Sequence, residues 1–301
     1  MLLFVLAAAV QLFSLEGRVA PKSKASITLH AATTPYTASA AARVDGRFSF
    51  KNLEAGTYTV IAFVSGRGEV RKSVVVGVST ADRKRRVQVI IDTESGSLSR
   101  DRAHLVTARE LAVPDAAKRE YADALKRLSA RDVEGAIEHL ERATAIAPRF
   151  AAAWNHLGTI AYQTGRFEDA EAHFRRALLE DADLYEPLVN LGGVLVTTGR
   201  LEEARRVNEQ AVAQKPGDPL AQAQIGMTYL LLNRLDLAEQ HLLKAVELDS
   251  RHFSHPQLHL AEVYRRLNDT RSAAAQLDSF LRHHPDDPEA PRIRELLKQW
   301  R

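Results

Sequence analysis

Residues 151–184 read AAAWNHLGTIAYQTGRFEDAEAHFRRALLEDADL, and the same order of small and bulky residues returns at intervals of 34. In this stretch Gly158, Ala170 and Ala177 are small, Trp154, Leu157 and Phe174 are bulky, and Gly165 marks a turn. Stepping forward gives Leu191, Gly192, Gly199, Ala204 and Ala211, then Ile225, Gly226, Ala238, Leu242 and Ala245. One residue is inserted between Arg251 and His255, after which Leu260, Ala261, Tyr264, Ala273 and Leu277 resume the order, with Phe280 at the last small position. Stepping backward, Ala124, Ala136, Leu140, Ala143 and Pro148 form a weaker first copy. Apolar residues three and four apart predict two amphipathic helices per unit. Pro148, Pro216 and Pro285 stop the second helix, because proline lacks the N–H that a helix interior needs. Small residues let the paired helices cross closely while Leu and Phe fill the seam. A single unit cannot bury its own apolar face, so the units must stack. Five are expected, at 117–150, 151–184, 185–218, 219–253 and 254–287, followed by a capping helix in 288–301 that turns Ile293, Leu296 and Leu297 inward.

This spacing resembles the tetratricopeptide repeat family. The resemblance implies a superhelical solenoid whose first helices line a concave face, and a role in holding another protein. The second, fifth, ninth and twelfth places of each unit then face a partner. They supply Asn155, Thr159 and Tyr162, next Glu186, Val189, Gly193 and Val196, then Ala223, Met227 and Leu230, and finally His255, Leu258, Glu262 and Arg265. Some family members grip an acidic tail with a ring of Lys, Arg and Asn, which these positions lack. The expected peptide-binding groove is Asn155, Thr159, Tyr162, Val189, Asn190, Val196, Ala223, Met227 and Leu230, its partner a neutral or apolar peptide or helix. Asn155 and Asn190 would bond the backbone of such a peptide.

Ahead of the repeats the period changes from 3.6 to 2. Short alternating segments at Leu15–Ala20, Ala25–Ala31, Arg47–Phe50, Gly56–Val64, Val70–Gly77 and Arg86–Asp92 read as strands, separated by turn residues such as Asp45-Gly46 and Glu54-Ala55-Gly56. Phe48, Phe50, Tyr58, Val60 and Ala62 are the expected inward residues, and Gly17, Gly46 and Gly56 stand where a side chain would strain the backbone. Four motifs carry a second resemblance: Gly17 with Val19, Ile27 with Leu29, Asp45-Gly46-x-Phe48-x-Phe50, and Asn52-Leu53-x-x-Gly56-x-Tyr58. Together they are similar to the carboxypeptidase regulatory-like domain, a prealbumin-like sandwich carried as an accessory by many exported bacterial proteins. The Thr- and Ala-rich stretch from Ala31 to Ala42 departs from that pattern. The resemblance implies support or adhesion and no catalytic residues. The expected fold is therefore multidomain, a small antiparallel β-sandwich in 15–93, a linker in 94–116 with Asp115 as a helix N-cap, and an all-α solenoid in 117–287.

MLLFVLAAAV opens the chain as an apolar run with Ala7, Ala8 and Ala9 at its end, and residues 1–14 read as an export signal without its basic leader residues. The alternative is a buried first strand; at about thirteen residues the run is too short to span a bilayer. The expected location is periplasmic or cell-envelope associated. The chain has no cysteine, which excludes disulfides, thiol catalysis and thiolate metal sites. Its net charge of +3 divides unevenly, with 13 Lys or Arg against 7 Asp or Glu in residues 15–94 and 28 against 31 in 95–301. That basic front lacks the interleaved aromatics of a nucleic-acid platform, so no nucleic-acid partner is expected.

No paired-His zinc helix, phosphate loop or nucleophile elbow is present, so the reading is non-enzymatic and without cofactor. His252, His255 and His259, with His283 and His284, come nearest to a metal set, but Pro256 and the want of a matching carboxylate favour solvated or groove-lining histidines. Glu202-Glu203 and Asp286-Asp287 read as solvation and capping. The function expected is a protein-interaction scaffold of the envelope. The alternative is an envelope glycan-binding protein that stacks sugars on Tyr36, Tyr58 and Phe63 of the sandwich.

Overall fold

A computed structural model describes residues 11–65, 68–93 and 112–300. Seven strands, β1 (Phe13–Ala20), β2 (Ser26–Ala31), β3 (Thr37–Ala41), β4 (Arg47–Leu53), β5 (Gly56–Val64), β6 (Gly68–Val76) and β7 (Arg86–Asp92), form two sheets, ordered β4-β1-β7 and β3-β2-β5-β6. Neighbours are antiparallel except β1 and β7, which run parallel from Ser14 opposite Arg86 to Ala20 opposite Asp92. The alternation read in the sequence places Phe48, Phe50, Tyr58, Val60 and Ala62 between the sheets, where they join Leu15, Ile27, Leu29, Leu53 and Ile91. A Cβ on Gly17 would stand inside the Phe48 ring, and Gly46, with a φ of +80°, makes the turn by which the chain passes from β3 in one sheet to β4 in the other. β3 lies in the stretch that departs from the family pattern. Its five small residues, TASAA, give little apolar alternation, and their pairing with β2 from Ser26–Ala41 to His30–Thr37 is what makes them a strand.

The expected domain edges shift in two places. Strand β1 begins at Phe13, whose ring is buried in the sandwich, so the sandwich claims the last residues assigned to 1–14; residues 1–10 lie outside the described residues. Asp115 is the first helical residue and Pro114 occupies the cap position without a side-chain bond, so Asp115 acts through its charge in the first turn. Residues 94–111, most of the expected linker, are outside the described residues.

Eleven helices follow among the described residues. They pair as α1 (Asp115–Ser129) with α2 (Val133–Ile146), α3 (Ala151–Gln163) with α4 (Phe167–Glu180), α5 (Tyr185–Thr197) with α6 (Leu201–Gln214), α7 (Pro219–Leu231) with α8 (Leu235–Leu248), and α9 (Pro256–Arg266) with α10 (Thr270–His283); α11 (Ala290–Trp300) closes the end. The glycines work as the spacing suggests. A Cβ on Gly158 would come within 2.6 Å of the Phe174 ring, one on Gly226 within 2.7 Å of Leu242, and one on Gly192 would strike Asn208. Each intra-unit turn contains one left-handed residue, successively Arg131, Gly165, Gly199, Asn233 and Asn268. α3, α5, α7 and α9 also touch in succession, which makes the first helices a continuous inner wall.

Asn208 breaks the order of the second helices. Its counterparts Leu140, Phe174, Leu242 and Leu277 are buried apolar residues, and Asn208 is equally buried, donating through Nδ2 to Thr228 Oγ1 at 3.1 Å while its Oδ1 has no hydrogen-bond donor among the described residues. A buried acceptor left unpaired costs about 1–3 kcal/mol, and the Thr228 hydroxyl has its own acceptor in the Gln224 carbonyl. Asn208→Leu is therefore expected to stabilise the fold by about 1–2 kcal/mol, read as a higher urea midpoint at unchanged slope; an unchanged or lower midpoint would show that the Asn208–Thr228 bond outweighs the orphaned oxygen.

Candidate functional site

The concave wall is built by the first helix of each unit. Besides the positions expected to face a partner, the sixth place contributes His156, Asn190 and Gln224 at the 34-residue interval, all lining the same inner space. Asn190 Nδ2 donates to Asn155 Oδ1 at 3.2 Å, joining two units, and the Thr159 hydroxyl turns back to the Asn155 carbonyl at 3.0 Å. Tyr162 reaches Thr197 across the wall at 3.3 Å. Of the nine expected groove residues, Asn155, Thr159, Tyr162, Val189 and Asn190 line the space. Val196, Ala223 and Leu230 are buried within the wall, and Met227 packs on the cluster of Leu191, Val194 and Val196. The twelfth place of a unit thus serves the seam between units in α5 and α7, while it is exposed at Tyr162, 38%, and at Arg265.

The sequence reading leaves this wall open to a partner; the structure covers it with the chain's own second sheet. The outer face of β2, β5 and β6 presents His30, Thr59, Ile61, Arg71 and Ser73 to the inner helices. Polar contacts fasten the two domains along the length of the solenoid. In the first turn, Arg131 donates to the Asn52 carbonyl at 2.9 Å, pairs with Glu54 at 3.1 Å and lies 5.0 Å over the Tyr36 ring. Gln163 donates to the carbonyls of Ala31 and Ala32 at 3.3 and 3.4 Å. Arg71 of β6 pairs with Glu186 at 3.1 Å. The edge N–H of Ser73 donates to Asp249 at 3.2 Å, and both the N–H and hydroxyl of Ser79 donate to Asp286 at 2.9 and 2.6 Å. Asp286, expected to cap or to face water, is an interdomain acceptor, while Asp287 caps the N–H of Glu289. Nothing in the spacing marks these anchors, since those of the solenoid lie in turns or at helix ends where charge is common, and Arg71 and Ser73 stand on an outward face of β6 that suits water equally well.

Three other expectations find their places. Tyr58 is buried in the sandwich core, and Tyr36 is buried beneath Arg131, so Tyr36, Tyr58 and Phe63 do not form an exposed stacking platform. Glu202 and Glu203 are engaged by arginines, including Arg205, Arg175 and Arg200. The histidines of the last unit are spent on local contacts: His252 on Ser254, and His255 on a ring contact with His284 and an approach of 3.6 Å to Asp287. Among the described residues, no group of three or more His, Asp or Glu is arranged to hold a metal ion. No helix there is long and apolar enough to cross a membrane.

Burial governs the electrostatics of the covered wall. His30, 2.9 Å from Thr37 Oγ1, has its pKa lowered to about 4, first by burial and then by the neighbouring His156 and Arg71. Burial likewise lowers His156 and, in the last two units, His252 and His259, the latter to about 4. With their pKa values held below the ordinary 6.5, these imidazoles are neutral at pH 7, so His30 and His156 adjoin without repulsion.

Tetratricopeptide repeat models match residues 127–191, 165–225, 221–252 and 257–287, together just over half of the chain. No curated protein matches it. Among solved structures, MamA (41-end) from Desulfovibrio magneticus RS-1 is 21% identical with a TM-score of 0.52, over 59% of this chain and 99% of that one. YrrB, described as a TPR protein with an unusual peptide-binding site, is 21% identical with a TM-score of 0.50, over 63% and 99%. PilF of Pseudomonas aeruginosa is 18% identical with a TM-score of 0.52, over 61% and 83%. At these identities the likeness is one of fold alone.

A group whose pKa is lower in the docked state than when free leaves docking at full strength above its free value, here the ordinary 6.5 of His30, and weakens it progressively as pH falls toward the docked value of about 4. Glu186, Asp218 and Asp249 face the same space from the wall, and Arg71 and Lys72 from the sheet. Small-angle scattering of the full chain is expected to show the domains parting as pH falls through this window, with His30→Gln reducing the effect; an unchanged radius of gyration from pH 7 to 4 would contradict it.

Proposed function

The chain belongs to the tetratricopeptide repeat family, and from that premise we propose that it is a non-enzymatic protein-interaction scaffold of the cell envelope whose concave wall holds a neutral or partly apolar peptide or helix of a partner. In the docked arrangement the sandwich occupies that wall, so the partner takes the place of the sheet. The supporting observation is the match in chemistry. Asn155, Thr159, Val189, Asn190 and Gln224 on the wall are uncharged, and they are covered by an equally uncharged strip of His30, Thr59 and Ile61. A wall that accepts this surface from its own chain is suited to a similar one from another protein. The fastening is suited to exchange, because its ion pairs are exposed and such pairs contribute about 0–1 kcal/mol each.

The partner test uses capture from a crosslinked envelope extract of the host. Arg131→Asn with Asp286→Ala loosens the sandwich and is expected to raise capture several-fold. Adding Tyr162→Glu and Asn190→Glu, both on the wall itself, is expected to abolish it. Capture that persists with the charged wall would place the partner elsewhere on the molecule.

The envelope location is supported by the apolar opening run and by the resemblance of the front domain to accessory modules of exported proteins. Phe13 is a buried member of β1, so a signal cut that leaves the sandwich whole falls before it, and Ala7, Ala8 and Ala9 are the small residues nearest that limit. N-terminal sequencing of the mature protein is expected to begin at Val10; an uncut chain, or a cut beyond Phe13, would count against export by this signal.

A further inference from the structure

The sheet and the inner helices do not meet flush. They enclose a cavity of about 440 Å³ at the domain seam, within the roughly 300–1,000 Å³ typical of small-molecule sites, which favour such seams. We infer that this cavity binds a small uncharged molecule rich in hydroxyl or amide groups, held jointly by the two domains. The inference is independent of the partner reading, since a ligand bridging both walls favours the docked arrangement whatever the solenoid holds when open.

The first argument is the state of the charges. Each charged group bordering the cavity already has a partner. Arg71 is matched by Glu69 and Glu186, Asp218 accepts from the N–H groups of Leu220 and Ala221, Asp249 accepts from Ser73, and Lys72 donates to the Ile90 carbonyl. An incoming ion would lose its water without gaining a free counter-charge, which disfavours it strongly.

The second is the polar groups left over. His30 and His156 each use Nδ1 within their own domain, His30 on Thr37 and His156 on the Tyr121 hydroxyl at 3.1 Å. Both rings border the cavity. A neutral imidazole has one donor and one acceptor nitrogen, so the second nitrogen of each ring adds capacity for a hydroxyl or amide. Gln224 Oε1 is buried at the wall and has no donor among the described residues, so it calls for an O–H or N–H. Ile61, Ile160 and Val189 supply an apolar flank for the carbon skeleton of such a ligand.

Neutral saccharides and capped short peptides share this chemistry, and calorimetry on the full chain separates them. One arm titrates neutral mono- and disaccharides, the other N-acetylated dipeptide amides, each with a carboxylated analogue as control. One arm is expected to bind with a Kd at or below about 1 mM and to raise the thermal midpoint, its charged analogue binding at least tenfold more weakly. Gln224→Leu and Thr59→Val, chosen to keep the volume of the walls, are expected to weaken binding roughly tenfold while far-UV circular dichroism stays unchanged and the ligand-free midpoint does not fall. Absence of binding in both arms, binding by both variants as tight as by the unsubstituted chain, or preference for the charged analogue would each overturn the assignment. Should a variant unfold, Thr159→Val on the helical wall carries the same test.

Discussion

How near the two helices of a unit come to each other determines most of this structure. At Gly158, Gly192 and Gly226 the first helix offers bare backbone to Phe174, Asn208 and Leu242, and any side chain there would collide with its partner. Because the same approach recurs every 34 residues, each unit repeats the offset of the last, and the first helices come to rest side by side. Side chains at one place in the period therefore line up. His156, Asn190 and Gln224 form their row for this reason, with Asn155 bonded to Asn190 across units. A wall of repeated polar groups is a consequence of backbone proximity on the far side of the same helices.

The sandwich meets this wall on terms that its own pleat dictates. Residues on β2, β5 and β6 that alternate away from the sandwich core form a face, and that face is rich in His, Thr and Ser where an exposed sheet would carry Lys and Glu. Ser73, 4% exposed although it points away from the core, shows how fully the solenoid covers it. The anchors sit mainly in turns and at helix ends, whereas the centre holds shorter uncharged side chains. Contact is accordingly firm at the rim and incomplete in the middle, which is why a cavity persists between two well-packed domains.

Much of this was legible in the sequence, for a physical reason in each case. The 34-residue order gives every unit because close helix crossing tolerates few residue types, and the alternation of Phe48, Phe50 and Tyr58 gives the sandwich because an inward face tolerates few polar ones. β3 escaped because Ala and Thr satisfy either a loop or an edge strand until a neighbour pairs with them. The docking escaped because Thr59 or Ser73 on an outward face has the same composition whether it meets water or another domain. Val196, Ala223 and Leu230 were assigned to the groove by place in the unit, yet a large apolar side chain near the end of a first helix reaches the next unit and disappears into its seam. The sixth-place row was in the sequence at the right interval, hidden by the variety of His, Asn and Gln that fill it.

One local misfit bears on whether the docking belongs to the native state. The intra-unit turns require a left-handed residue, and four of the five use Gly or Asn, which adopt that conformation at little cost. The first uses Arg131, with a φ of 59°, where an ordinary side chain costs about 1 kcal/mol. Within the solenoid only the bonds that close the turn, Arg131 N–H to the Leu128 carbonyl and Asp132 N–H to the Arg127 carbonyl, act against that penalty, as their equivalents do in the turns built on Gly or Asn. In the docked chain the same side chain bonds the Asn52 carbonyl, pairs with Glu54 and lies over Tyr36, three contacts with the sandwich. A strained backbone persists where its surroundings over-determine it, and here the surroundings are the other domain. The exception in the repeat pattern thus falls at the residue that the sandwich holds, which ties the identity of a single turn residue to the covering of the whole wall.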